Sequence, residues 1–163
     1  MSGQPGNDDP VWRFLVLRDK RRLRCLGEGK DGEVFETTDG TAVKLHHSPE
    51  VYRRERNAYL RLRDLEIDDV EGLALPTLID HDDELLILEM TVVRPPFLLD
   101  FASAYLDEPP DWPDEVVEHW HEQLRERFED RYGDVLGVLA ELEEQAGVHL
   151  FDVHADNLKF DPS

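Results

Sequence analysis

The stretch GEGKDGEVF places Gly27, Gly29 and Gly32 at the spacing G-x-G-x-x-G and then runs directly into Val34 and Phe35. Such a trio can cradle phosphates, because glycine lets the backbone come close to an anion, or it can be a flexible turn between strands. Lys44 follows, one of only four lysines against fourteen arginines. Further on stands Glu55, on a segment whose apolar residues recur at helical spacing. A carboxylate facing a core requires a partner. A second polar cluster, Asp152-Val153-His154-Ala155-Asp156-Asn157, lies between two short apolar runs near the end of the sequence.

The elements that must carry these groups can be read from pattern. Arg21 to Leu26 reads as a strand entering the glycine segment and Val34 to Thr38 as a strand leaving it. Asp39-Gly40 is a two-residue hairpin signal, and Thr41 to Leu45 returns as the next strand. A dinucleotide-binding fold needs the last glycine to open a helix; here it opens a hairpin. Alternation places Ala42 and Lys44 on one face of the third strand and Val43 on the other. Ser48-Pro49-Glu50 supplies an N-cap, a first-turn proline and a first-turn acid for a helix to about Arg63, with Val51, Ala58 and Leu62 as its buried stripe and Glu55 within it. Leu75 to Ile79 and Leu85 to Met90 read as strands joined by the acidic loop Asp80 to Glu84. A short helical segment is expected at Asp100 to Leu106, a helix capped by Asp114 with Val117, Trp120, Leu124 and Phe128 on one face, and another capped by Asp134 that stops at Gly147. Phe97, Phe101, Tyr105, Trp112 and Trp120 read as packing groups. No histidine pair has metal-ligand spacing.

This order of glycine strand, hairpin, Ala42-Val43-Lys44 and a helix with an inward glutamate resembles the N-terminal lobe of the protein kinase-like superfamily. The resemblance implies an α+β, two-lobed fold: a flexible segment over 1–20, an antiparallel N-lobe with one helix over 21–91, and a partial, mostly helical C-lobe over 92–163. It implies ATP and Mg2+ as cofactors. Gly27, Gly29, Gly32, Val34, Ala42 and Lys44 would bind nucleotide, Glu55 would pair with Lys44, Leu88 would be the gatekeeper, and Glu89 and Thr91 would supply the backbone of the hinge. The cluster near the end resembles the catalytic loop of atypical and small-molecule kinases. There Asp152 would orient or deprotonate an acceptor hydroxyl and Asn157 would give magnesium an oxygen.

The sequence departs from that pattern in three places. Leu150 stands where a histidine usually precedes the catalytic aspartate, Lys159 stands where an apolar residue usually floors the adenine pocket, and no D-F-G follows Asn157 within the 163 residues. Asp156 and Asp161 are the candidates to replace the missing metal ligand. Two function classes therefore stand: an ATP-dependent phosphotransferase, acting on a protein or small-molecule acceptor and weak or inactive as this chain alone, or a pseudokinase that serves as a nucleotide-binding or protein-interaction module.

Composition narrows the partners. The net charge of −20, from 38 acids against 18 bases, repels polyanions and disfavours nucleic acid and anionic membranes. The lone Cys25 makes no internal disulfide and is expected to be a buried strand residue. With no apolar signal segment and no run near membrane-spanning length, the expectation is a cytoplasmic protein.

Overall fold

The computed structural model describes residues 8–151, 153, 154 and 156–160. In chain order these form α1 (Pro10–Val16), β1 (Arg22–Gly29), β2 (Gly32–Thr37), β3 (Thr41–His46), α2 (Pro49–Asp64), β4 (Asp69–Val70), β5 (Leu73–Ala74), β6 (Leu78–Asp82), β7 (Ile87–Thr91), β8 (Phe97–Leu98), β9 (Ala104–Leu106), α3 (Asp114–Phe128), α4 (Tyr132–Ala146), β10 (Val148–Leu150) and β11 (Leu158–Lys159). The fold is α+β, with an antiparallel five-stranded sheet of order β1-β2-β3-β7-β6 followed by a helical part.

Each face of that sheet carries a helix. Val43 and Ile87 meet Val11, Phe14 and Leu15 of α1 on one face, while Ala42, Leu88 and Met90 join the core that includes Tyr52, Ala58, Tyr59 and Leu62 of α2 on the other. Within the segment expected to be flexible, residues 10–16 form α1. Asp9 caps the helix by accepting from the Val11 backbone N–H, Arg18 stacks on Phe14 and bonds Asp80, and Arg22 pairs with Asp9. The apolar spacing of residues 11, 14 and 15 gives this short helix one buried side.

Ser48 caps α2 through the Val51 N–H, as its sequence signals. The buried stripe is Tyr52, Glu55, Ala58, Tyr59 and Leu62; Val51, expected there, is only half-buried, because the large Tyr52 ring takes the place against β3. Residues 100–106, expected to be helical, instead lead into β9, whose Ala104, Tyr105 and Leu106 pair with Leu150, His149 and Val148. Tertiary pairing outweighs local propensity there. Asp114 and Asp134 lie inside the first turns of α3 and α4 rather than capping them, whereas Gly147 ends α4 in the left-handed region, with φ 65°, and its N–H meets the Glu143 carbonyl. Cys25 lies in β1 but is exposed, since that edge strand has little packed over it.

A four-stranded sheet of order β11-β8-β5-β4 links the two parts of the chain, so residue 91 is no break in the hydrogen bonding. It sets β11, just after the Asp152–Asn157 segment, beside β8, and the Leu99 N–H donates to the Asn157 carbonyl.

Candidate functional site

Strand alternation builds one wall. Ala42, Lys44 and His46 share a face of β3, and Lys44 lies opposite Val34 of β2 and Leu88 of β7. Glu55, 0 % exposed, reaches this face from α2. Its Oε1 lies 3.0 Å and its Oε2 3.1 Å from Lys44 Nζ. The expected Lys44–Glu55 pair is therefore formed. Asp100 enters from the segment after β8 with its Oδ1 3.7 Å from the same ammonium.

The electrostatics follow from this geometry. Burial pushes Glu55 toward the neutral form, but the Lys44 ammonium and His46 overcome it and hold the carboxyl at about 2. For Lys44 burial acts downward, and Glu55 and Asp100 reverse it to a net rise. Asp100 is raised, by burial first and by Glu55, against the pull of Lys44. Tyr59, buried beneath these carboxylates, is raised by burial and by both of them.

The cavity at this wall has a volume of about 480 Å3. Leu26, Gly27, Val34 and Ala42 line one side, Met90 to Val93 the strand exit, and Asp100, His154, Asp156 and Asn157 another side. Its size suits a small-molecule ligand. A larger hollow of about 720 Å3 lies between α1 and β1, lined by Trp12, Leu15, Val16 and Lys20 to Arg22. The smaller cavity is the candidate site, because it gathers the glycine strand, the lysine, the carboxylates and the loop.

The glycines form a hairpin, with Gly27 opposite Val34 and Gly29 opposite Gly32, and Leu26 is bulged out of register beside the cavity. A side chain at Gly32 would run into the backbone carbonyl of Leu45, so the fold itself requires that glycine. At Gly27 and Gly29 an added Cβ would meet nothing within 4 Å, so nothing in the described protein fills the space above them.

Thr91 lines the cavity, but its N–H donates to the Thr77 carbonyl and its Oγ1 accepts from the Thr77 N–H. Glu89 is not a lining residue. Alternation turns its side chain to the α1 face, where Oε2 accepts from Lys20 Nζ and Thr41 Oγ1, each at 2.6 Å. Leu88 is fully buried, and the lining residue from β7 is its neighbour Met90. Lys159 is exposed, beside the Phe97 ring, and the apolar group lining the cavity near β8 is Leu99.

Asp152 and Asp161 lie outside the described residues. Phe151 and Val153 each accept a side-chain hydrogen bond on the backbone carbonyl: Trp120 Nε1 donates to Phe151 at 2.7 Å and Arg127 to Val153 at 3.1 Å. Asn157, 4 % exposed, accepts the His154 backbone N–H on its Oδ1 at 2.8 Å. Trp120 and Trp112 both pack on Phe151, the packing role expected of them.

Neither a family model nor a curated protein matches this sequence. Among solved structures the chain is similar to aminoglycoside phosphotransferases. The streptomycin–ATP–APH(2'')-IIa ternary complex has a TM-score of 0.47 and 17% identity, over 86% of this chain and 41% of that one. The gentamicin–APH(2'')-IIa complex gives 0.48 and 18% over the same shares. ADP-bound APH(2'')-Ib gives 0.47 and 14%, over 92% of this chain and 42% of that one. This chain thus spans about two fifths of each of those structures.

Two residues of the site, Asp100 and His46, escape a reading of pattern. Asp100 follows an apolar run and sits in the left-handed region at φ 68°, outside any periodicity. His46 carried a signal: two residues after Lys44 on a strand, it must share the lysine's face.

Proposed function

We propose that this chain forms the nucleotide cleft of a kinase-like phosphotransferase, with Mg-ATP as its ligand. The observation that supports it most is Lys44, ion-paired to a fully buried Glu55 at the wall of a cavity that Gly27 also lines, a glycine with open space where a side chain would be. An ammonium held in this way is a fixed positive charge for phosphate oxygens, and open glycine backbone allows them close approach.

The polar groups across the cavity suit the metal that accompanies ATP. Asn157 and Asp156 are the lining oxygen donors that would hold it, and such an ion neutralises phosphate charge when bound. Asp152 would accept the proton of an acceptor hydroxyl as its oxygen attacks the terminal phosphorus and the bond to the bridging oxygen breaks. The acceptor would be a small molecule or a protein.

Transfer by these residues alone is expected to be weak. Lys44 is already shared between two carboxylates, and Asn157 offers a neutral oxygen that also serves the His154 N–H. Losing one preorganised electrostatic element costs on the order of a hundred- to a thousandfold in rate. The same features suit a pseudokinase that binds nucleotide without fast turnover.

Thermal melting with and without Mg-ATP tests the proposal. At about 100 times the dissociation constant, binding stabilises the fold by about 2.7 kcal/mol, a visible shift that Lys44→Ala should diminish. An unchanged melting temperature at millimolar Mg-ATP would overturn nucleotide binding. Incubation with labelled Mg-ATP and an acceptor panel, with Asp152→Ala as control, separates enzyme from pseudokinase.

A further inference from the structure

The Lys44–Glu55 pair has a third member. His46, 2 % exposed, lies one alternation beyond Lys44, and its Nε2 is 3.3 Å from Glu55 Oε1. Its other ring nitrogen, Nδ1, is 3.2 Å from the Leu86 carbonyl in the turn before β7. The ring also stands edge-on to Tyr52, one turn before Glu55 on α2, with centroids 5.4 Å apart.

A carbonyl oxygen only accepts hydrogen bonds, so Nδ1 must donate. Glu55 is ionised, with its carboxyl held at about 2, and it too only accepts. Both bonds form together only when both ring nitrogens carry hydrogen. The charged and titratable groups around the ring are consistent with this: Glu55 and Tyr52 from α2, Lys44 from its own strand through Glu55, and Asp83, which accepts from the Tyr52 hydroxyl at 2.7 Å. None of these places a second cation directly against His46.

We infer that His46 is a positioning residue: as a doubly protonated ring it donates to Glu55 and ties that carboxylate, and with it α2, to the turn before β7. The same turn region holds α2 a second time, because Asp83 accepts from both Tyr52 and Arg56, the latter at 3.0 Å. Glu55 is thus held twice from β3, by Lys44 and by His46. This arrangement keeps Lys44 placed for a ligand. The consequence for ligand binding rests on the proposed nucleotide cleft, whereas the state of the ring does not.

Two measurements on the full chain test it. Nitrogen-15 NMR of labelled histidine should show both His46 ring nitrogens protonated. In Glu55→Gln the His46 signals should change to a neutral ring with its hydrogen on Nδ1. A neutral His46 in the unsubstituted protein overturns the inference. Calorimetric titration with Mg-ATP forms the second arm: His46→Leu should weaken binding about tenfold, on the scale of one charge-assisted hydrogen bond, and His46→Gln, which restores a donor, should recover part of it. Unchanged affinity in a folded His46→Leu protein overturns the positioning role. If the unsubstituted protein binds no Mg-ATP, the nucleotide reading fails and the NMR result alone decides the role of His46.

Discussion

Asp100 places its Oδ1 3.7 Å from Lys44 Nζ, on the one ammonium that already holds Glu55. Glu55 is buried and bonded at both oxygens, whereas the Asp100 side chain is 29 % exposed and accepts the Ala102 N–H. An incoming phosphate therefore competes with Asp100 and not with Glu55.

Replacing Asp100 by Asn should tighten Mg-ATP binding about two- to fivefold, the range of a partly exposed ion pair. Isothermal titration of the two proteins measures it. Weaker binding in Asp100→Asn would show instead that the carboxylate contacts the ligand or its metal.

The second expectation concerns stability. Lys44→Met leaves Glu55 buried with only His46 beside it, and breaking a buried pair from one side typically costs about 3–5 kcal/mol. Adding Glu55→Leu to that variant should recover much of the loss, because the buried carboxylate that lost its Lys44 partner is then gone. Urea unfolding of the single and double variants gives both values. A double variant less stable than Lys44→Met would mean that Glu55 stabilises the fold through His46 alone.

Acid titration should expose the same carboxylate. Glu55 is held at about 2, below its ordinary 4.5, so its contribution is complete above about 4.5 and disappears as pH falls toward 2. Asp100 acts in the opposite sense. Its raised affinity for a proton means that the native state binds more protons just above the ordinary aspartate range, and its contribution declines as pH rises there. The stability gap between the unsubstituted chain and Glu55→Gln should therefore shrink on acidification, while Asp100→Asn should flatten the mildly acidic part of the profile. A gap that is constant with pH would refute the ionised, paired state of Glu55.

Much of this site was legible because strand and helix periods act locally. Two-residue alternation placed Ala42 and Lys44 together, the Ser48-Pro49 start set the phase of α2, and a carboxylate among apolar helix positions demanded a cation. The failures came where a partner distant in sequence decides the outcome. Tyr52 took the buried position expected of Val51 because His46 and Asp83 await it. Residues 104–106 became a strand because Val148–Leu150 pairs with them. Asp100 has a backbone conformation that no apolar pattern encodes.

The glycines separate folding from function most directly. Gly32 is required by the fold: any side chain there meets the Leu45 carbonyl on the adjacent strand, and backbone on both sides prevents easy relief. Gly32→Ala should thus destabilise by about 1–3 kcal/mol, the usual scale for overpacking. Gly27 has the same sheet around it but open space where its Cβ would be. Alanine there should leave stability unchanged or raise it by about 0.5 kcal/mol, since glycine within a strand carries excess unfolded-state entropy. If that space is where phosphates approach the backbone, Gly27→Ala should nevertheless weaken Mg-ATP binding, and Gly27→Val should weaken it further. Melting curves and calorimetric affinities on the same preparations separate the two effects. Full affinity in Gly27→Val would mean that the ligand does not approach β1, leaving the glycine spacing as a feature of the hairpin alone.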